Sequence, residues 1–164
     1  MPNTYFDAVK ITAGKFTPVS GTAMDLGCTG SLSGTTEMKT TKKKCEGVDV
    51  KEVSKPLFML LEFNGHLLVE AYRALFGFKA DEVLTTEFAY GVNSRNAAGS
   101  FSWEEENLEG TEKRTTTYAN AVVTTGFVFS IENGQEEVAE VSLSIKAMPD
   151  EDGNIRKEKI TAIV

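Results

Sequence analysis

The stretch from Pro56 to Phe78 limits what this chain can fold into more than any other part of the sequence. It reads PLFMLLEFNGHLLVEAYRALFGF. Its first part is densely apolar from Leu57 to Leu61, which predicts a buried strand. Asn64-Gly65 follows, and because both residues tolerate positive φ, this dipeptide predicts a tight turn.

After Gly65 the apolar residues change their spacing. Leu68, Ala71, Tyr72 and Leu75 recur at i, i+3, i+4 and i+7, which is one face of an α-helix. Gly77 follows the last of them and suits a left-handed helix stop. We therefore expect one α-helix over about residues 66–76, and no other segment has convincing helical spacing.

The remaining apolar pattern is that of strands. Residues 115–131 are rich in Thr, Val, Tyr and Phe, residues 136–147 alternate apolar with polar side chains, and Asn133-Gly134 between them predicts a two-residue hairpin turn. The predicted fold class is mainly β, an antiparallel β-sandwich or barrel with the single helix flanking it.

At 164 residues the chain is long enough for one domain and too short to make two domains expected. We predict a single domain over residues 1–164. The other predicted parts are an N-terminal arm or loops with short extended pieces (1–34), a strand over 83–92, a strand at 101–103, an acidic loop over 104–110, and a C-terminal strand or arm (155–164).

The net charge of −7 is unevenly distributed. Residues 1–79 hold ten Lys/Arg and eight Asp/Glu, whereas residues 80–164 hold seven Lys/Arg and sixteen Asp/Glu. So acidic a chain has no surface that neutralises phosphates, and its field repels nucleic acid. The longest uncharged apolar run, Leu57–Leu61, is far below the ~20 residues of a membrane span, so no membrane partner is expected.

The sequence contains no recognisable catalytic or cofactor-binding motif. The one histidine, His66, reads as a helix-start residue, and no nucleophile-elbow pattern accompanies it. Cys28 and Cys45 match no metal or redox spacing and are expected to be free thiols. Residues 150–154 superficially resemble a calcium loop, but Thr161 stands where the distal glutamate is needed. We expect no enzyme, no cofactor and no metal.

In their order along the chain, these features resemble the major tail (tail tube) proteins of long-tailed bacteriophages and phage-like particles. The resemblance covers roughly residues 25–160. It rests on KPLFMLLEFNGHLLVEAYRALFGF, on Phe88-Ala89-Tyr90-Gly91, on Gly99-Ser100-Phe101-Ser102-Trp103, and on YANAVVTTGFVFSIENGQEEVAEVSLSIKAMPDEDGNI with the short tail after it.

The resemblance implies six copies in a ring, with inner sheets joined into a continuous barrel and rings stacked through loops and terminal arms. It implies a virion tail location, assembly in the host bacterial cytoplasm, and passage of DNA through the tube without specific binding. Its implied partners are further copies of this chain and other tail proteins, among them a tape measure, a terminator and a baseplate or initiator.

Two complementary charge runs are candidates for contacts between stacked rings. The basic run is expected on an exposed edge or a hairpin tip, and the acidic run in a loop. Reversing the charge of Lys42, Lys43 and Lys44 is expected to block tube growth. The candidate residues are Lys39, Lys42, Lys43, Lys44, Glu104, Glu105, Glu106 and Glu109.

Two alternatives stay open at the level of sequence. One is another virion structural protein: a head decoration, a tail terminator or a contractile-injection tube protein. The other is a monomeric β-sandwich that binds a ligand in a concave site lined by aromatic residues. The aromatic residues available to such a site are Phe88, Tyr90, Phe101 and Trp103.

Overall fold

The computed structural model of the protein describes residues 5–84, 86–130, 133–134 and 140–164. Ten strands and one helix lie within them. In chain order they are β1 (Ala8–Pro18), β2 (Met24–Asp25), β3 (Gly27–Cys45), β4 (Val48–Leu67), α1 (Val69–Phe76), β5 (Lys79–Ala80), β6 (Phe88–Ala89), β7 (Ala98–Asn107), β8 (Glu112–Val123), β9 (Val141–Met148) and β10 (Lys157–Ala162).

One antiparallel sheet holds most of these strands, in the order β2-β1-β7-β8-β9-β4-β3, with β10 also pairing with β8. The sheet rolls onto itself, since the rings of Phe63 in β4 and Trp103 in β7 lie 6.3 Å apart. Where its two ends approach, the Leu26 N–H donates to the Gly14 carbonyl at 2.9 Å. The predicted class, mainly antiparallel β with a single helix among the described residues, is confirmed. A rolled single sheet is closer to a barrel than to two separate sheets.

The core fills the inside of this roll with large side chains that alternate along the strands, as one-sided burial of a sheet requires. Trp103 lies at its centre, stacked on Phe101 and edge-on to Tyr118. The buried apolar residues are Phe16, Leu26, Leu61, Phe63, Ala71, Leu75, Phe76, Phe101, Trp103, Tyr118, Ala121, Val123, Leu143, Ile145 and Ala147.

The predicted turn at Asn64-Gly65 is wrong, because β4 passes through it without a break. Asn64 pairs with Ser31 on one side and Ser142 on the other. A side chain at Gly65 would place its Cβ 2.3 Å from the Cys28 carbonyl oxygen, so this glycine permits close strand packing. His66 also lies within β4 and not at a helix start.

The helix is present but shorter than the predicted 66–76. It begins at Val69, with only Leu68 between it and the end of β4, and buries Ala71, Leu75 and Phe76. Gly77 ends it with φ 72°, and its N–H donates to the Arg73 carbonyl, as expected of a left-handed helix stop.

Three further boundaries differ from the predictions. Residues 104–106 belong to β7 and not to a loop, because they pair with residues 113–115 of β8. The strand predicted over 83–92 is reduced to β6. The strand predicted over 115–131 ends at Val123, because Phe127 leaves the sheet and packs against Tyr72, Phe76 and Phe78.

Of the predicted hairpin between residues 115–131 and 136–147, the antiparallel pairing is confirmed, but the first strand does not reach the turn at Asn133-Gly134, because residues 124–130 lie outside any strand. Strand β8 pairs antiparallel with β9, from Asn120 opposite Met148 to Val123 opposite Ile145. Gly134 has φ 79°, in the region that a primed turn requires. Residues 131–132 and 135–139 lie outside the described residues.

The two chain termini contain more regular structure than predicted. Within residues 1–34, expected to be an arm or loops, β1 is a full strand paired with β7 and buries Phe16 in the core. Within residues 155–164, β10 takes the strand alternative and pairs with β8.

Candidate functional site

The most prominent surface feature is a two-stranded ribbon, residues 33–57, formed by the outer parts of β3 and β4. Each of its residues is exposed. At about 3.3 Å per residue its strands extend roughly 30–40 Å. Glu46 and Gly47 form its tip with φ 50° and 80°, the positive values of a primed hairpin turn. The expected exposed hairpin at the basic run is thus present.

The ribbon has two faces of different charge, because successive side chains of a strand point to opposite sides. On the first face, Lys39 lies directly opposite Lys55, and Lys43 directly opposite Lys51. We call these four residues the lysine face. It continues the outer surface of the sheet, which Glu62 and Ser144 also form.

The second face of the ribbon is electrically balanced. Lys42 lies here, and its Nζ is 3.6 Å from an Asp49 oxygen and 3.8 Å from a Glu52 oxygen. Thr40 and Ser54 share a hydrogen bond of 3.0 Å on the same side. The predicted basic run is therefore divided: Lys39 and Lys43 lie on the lysine face, whereas Lys42 and Lys44 lie on the balanced one.

Two residues of the acidic run, Glu104 and Glu105, already have charged partners within the chain. Glu104 accepts an ion pair from Lys113 at 3.2 Å. Glu105 is nearly buried and accepts a hydrogen bond of 2.7 Å from Arg114 Nε. Glu106 follows in β7, and Glu109 lies in the turn that leads to β8. The acidic run thus does not meet the basic run within one copy, and its role between copies stays a prediction.

A half-buried polar network extends from Glu105 at the end of the roll. Arg114 stacks on the Phe6 ring and approaches Glu158, which also pairs with Arg156 at 2.5 Å. Arg156 Nη1 donates to the Tyr118 hydroxyl at 3.1 Å. Burial raises the pKa of the Tyr118 phenol, and the charge of Arg156 opposes that rise.

The ribbon tip and the β7–β8 turn lie at the same end of the strands. Each neighbour in the order β4-β9-β8-β7 runs antiparallel to the last, so the ends that point towards the tip are Met148 of β9, Glu112 of β8 and Asn107 of β7. The opposite end carries α1, which follows the last residues of β4, and the rings of Phe78 and Tyr90, which pack on Phe127 beyond the end of β8.

The segment that superficially resembles a calcium loop is a closed turn. Asp150 Oδ1 accepts the N–H groups of Asp152 and Asn154 at 3.0 and 2.8 Å, and Lys157 Nζ lies 2.7 Å from Oδ2. The hydrogen bond from Lys157 and those from the backbone lower the pKa of this carboxyl group. Both of its oxygens therefore already have partners inside the chain.

Asp150→Asn is expected to destabilise the protein at neutral pH and to lose that effect in acid. A carboxyl group whose pKa is lowered by folding stabilises the fold above its unfolded pKa, and this contribution disappears as the pH falls through the lowered value. The difference in melting temperature between wild type and variant, measured from pH 7 to pH 2, should shrink towards zero. A difference that stays constant would contradict the role of the charge.

The four aromatic residues proposed for a ligand site do not line one concave surface together. Of them, Tyr90 borders a groove of about 270 Å³ with Lys79 and residues 89 and 91–94. Phe101 and Trp103 are wholly buried in the core. Phe88 lies under the Arg73 guanidinium, and Tyr90 stacks on Phe78. The groove of about 460 Å³ between the ribbon base and the turn before β10, lined by Pro56, Met59 and Ile155 among others, contains no aromatic side chain.

Cys28 and Cys45 are free and exposed. Cys28 is the second residue and Cys45 the last residue of the same 19-residue strand. At about 3.3 Å per residue, the distance between their Cα atoms is far beyond the ~7 Å that a disulfide spans.

Over the described residues, no group of three His, Cys, Asp or Glu side chains could hold a metal ion. No helix found in that part of the chain is long and apolar enough to cross a membrane.

No family model matches the chain, and no curated protein matches its sequence. Among solved structures, the fold is similar to a chain in the sheath–tube complex of PVC, an extracellular contractile injection system, in its extended state. The TM-score is 0.50 at 12% identity, over 94% of this chain and 92% of the other.

Two further likenesses have lower TM-scores. A chain of the PVC sheath/tube terminator in its extended state has a TM-score of 0.48 at 12% identity, over 94% of this chain and 96% of the other. A chain of the tube-terminating cap of the anti-feeding prophage has a TM-score of 0.47 at 16% identity, over 99% of this chain and 100% of the other. Of these three, the first alone indicates a shared fold, and it indicates the fold only.

Proposed function

We propose that this protein is a structural subunit of a phage-tail-like tube, which assembles into stacked hexameric rings around a hollow centre. DNA would pass through that centre, and the acidic character of the chain suits a lining that does not hold phosphates. The similarity to a chain of a sheath–tube complex supports the proposal and favours a contractile-injection tube among the alternatives.

The observation that carries the proposal is the exposed ribbon together with the unpaired edge of the sheet at β3. Strand β3 has 19 residues and is last in the order of the sheet, so one side of its backbone is left without a strand partner in the described structure. Strands usually have about 5–6 residues, and a long open edge invites pairing with another chain. Assembly with further copies would give both the edge and the ribbon their partners.

The proposed setting is a virion tail, with assembly in the host cytoplasm. A tube of this kind would also contact other tail proteins, such as a tape measure, a terminator and a baseplate component. The chain itself would act by shape and charge and would catalyse no reaction. Between rings, the proposed contacts of the ribbon are Lys39, Lys42, Lys43 and Lys44, and the acidic run of Glu104, Glu105, Glu106 and Glu109 is one alternative for the surface that receives them.

Electron microscopy of the purified protein at rising concentration tests the proposal. We expect rings or tubes with a central hole. A variant in which Asn-Gly joins Glu37 to Leu57, and so removes most of the ribbon, should keep the fold by circular dichroism and form no tubes. A wild-type protein that remains monomeric at the highest concentrations, or tubes that form equally well without the ribbon, would contradict the proposal.

A further inference from the structure

The lysine face places like charges directly opposite each other on an exposed ribbon. Like charges directly opposite each other on a sheet are destabilising, and here two such pairs, Lys39 with Lys55 and Lys43 with Lys51, follow one another along the ribbon. The other face shows that this ribbon can place Lys42 beside carboxylates. Water and salt screen this repulsion in the free chain, whereas an acidic surface that covers the lysine face would replace it with attraction.

We propose that the lysine face docks on an acidic loop at the opposite end of a second copy of this chain, formed by Asp81, Glu82 and Glu87. This inference rests on the proposed function and deepens it by naming the surface that receives the ribbon. A contact between two different surfaces of identical chains is heterologous and can repeat along a stack.

Charge identifies a second copy as the partner. The ribbon, residues 33–57, holds six of the seventeen Lys/Arg residues and four of the twenty-four Asp/Glu residues, a net charge of +2. The rest of the chain holds eleven Lys/Arg and twenty Asp/Glu, a net charge of −9. The ribbon is thus a basic extension on an acidic body, and another body offers the complementary field.

The position of the acidic loop suits a head-to-tail contact better than the run at 104–109 does. That run lies at the same end of the strands as the ribbon tip, and its Glu104 and Glu105 already pair with Lys113 and Arg114. The acidic loop follows α1 and lies at the other end. A ribbon that points out of one copy therefore faces the acidic loop of the next copy in a stack.

The surroundings of the acidic loop also match those of the lysine face. Val83 is 87% exposed and Leu84 56% exposed beside the carboxylates, while Val53 lies between the lysine pairs on the ribbon. Asp81 Oδ1 accepts the N–H groups of Val83 and Leu84 at 2.8 and 2.7 Å, which fixes the loop. These hydrogen bonds, that of Leu84 first, lower the pKa of Asp81, so its charge is retained in mild acid.

Carbodiimide coupling tests the contact, because it joins a lysine directly to a carboxylate that touches it. Equal amounts of ¹⁴N and ¹⁵N protein are mixed, coupled under the conditions used for electron microscopy, and analysed by mass spectrometry. We expect mixed-isotope crosslinks that join the lysine face to Asp81, Glu82 or Glu87. Crosslinks only to Glu104–Glu112, or none between copies, would overturn the inference.

A pair of double variants distinguishes the effect of the lysine face from the effect of the ribbon's total charge. Lys43→Gln/Lys51→Gln removes one like-charge pair, which should not harm the fold, and should lower the remaining crosslinks through Lys39 and Lys55 about fivefold. Lys42→Gln/Lys44→Gln removes the same charge from the other face and should leave them unchanged. Equal losses in both variants would overturn the assignment of the face.

The same samples distinguish this inference from the proposed function. Hollow tubes that lack the predicted crosslinks would leave the tube function standing and refute the acidic loop as the receiving surface. Predicted crosslinks in a sample that forms neither rings nor tubes would support the contact and refute the tube.

Discussion

Trp103→Ala is expected to lower the free energy of unfolding by about 3–5 kcal/mol, the usual cost of removing a fully buried aromatic side chain. Trp103 has no exposed surface and joins the two sides of the rolled sheet. Its ring lies 5.8 Å from that of Phe101, 6.0 Å from Tyr118 and 6.3 Å from Phe63. Because these contacts come from three different strands, the cavity cannot close by moving one of them.

Urea unfolding followed by circular dichroism measures this loss, since the variant lacks the only tryptophan and has no tryptophan fluorescence. Leu108→Ala, at a side chain 70% exposed in the turn after β7, is the control and should change stability by no more than about 0.5 kcal/mol. A loss below about 1 kcal/mol at Trp103 would mean that the two sides of the sheet do not pack around it.

Gly65→Ala is expected to cost about 3 kcal/mol, at the upper end of what overpacking costs in a core. The added Cβ would lie 2.3 Å from the Cys28 carbonyl oxygen and 2.8 Å from the Phe63 ring. The first of these neighbours is the backbone of the paired strand β3, which cannot move without disturbing the ladder between β3 and β4.

Gly91→Ala is the matched control, because nothing lies within 4 Å of its added Cβ and its φ is not positive. It should be neutral within about 0.5 kcal/mol. Gly65→Asn also distinguishes a strand from a turn at this position. Asparagine suits a turn but is larger than alanine, so in the strand observed here Gly65→Asn should destabilise the protein more than Gly65→Ala does. If Gly65→Asn were tolerated better than Gly65→Ala, position 65 would be a turn after all.

Local patterns were sufficient for the elements that local physics controls. The spacing of Ala71 and Leu75 and the glycine after Phe76 predict the helix and its end. Alternation along residues 141–147 predicts which side chains enter the core. The fold class follows from these two patterns together, because a single amphipathic helix can only pack against a body of strands.

The errors share a different physical cause, contact with distant parts of the chain. Asn64-Gly65 has the local chemistry of a turn, yet its neighbours β3 and β9 hold it in a strand. The glutamates at 104–106 have the local composition of a solvated loop, but Lys113 and Arg114 in the paired strand hold them in β7. Phe127 departs from the sheet because its aromatic partners come from α1 and from the segment after it.

The candidate site was predictable in composition but not in arrangement. The run from Lys39 to Lys44 shows that a basic hairpin is present. Only the register between β3 and β4 shows that Lys43 faces Lys51 while Lys42 faces Glu52. The division of one charge run into a repulsive face and a balanced face depends on the returning strand, and this division is the basis of the contact proposed between copies.

Cryo-electron microscopy of the assembled protein tests the central claim most directly. The claim predicts a hollow particle in which each long edge strand and each ribbon contacts a neighbouring copy, with the lysine face against carboxylates. A solid aggregate, or a defined particle in which the ribbons project freely into solvent, would contradict it.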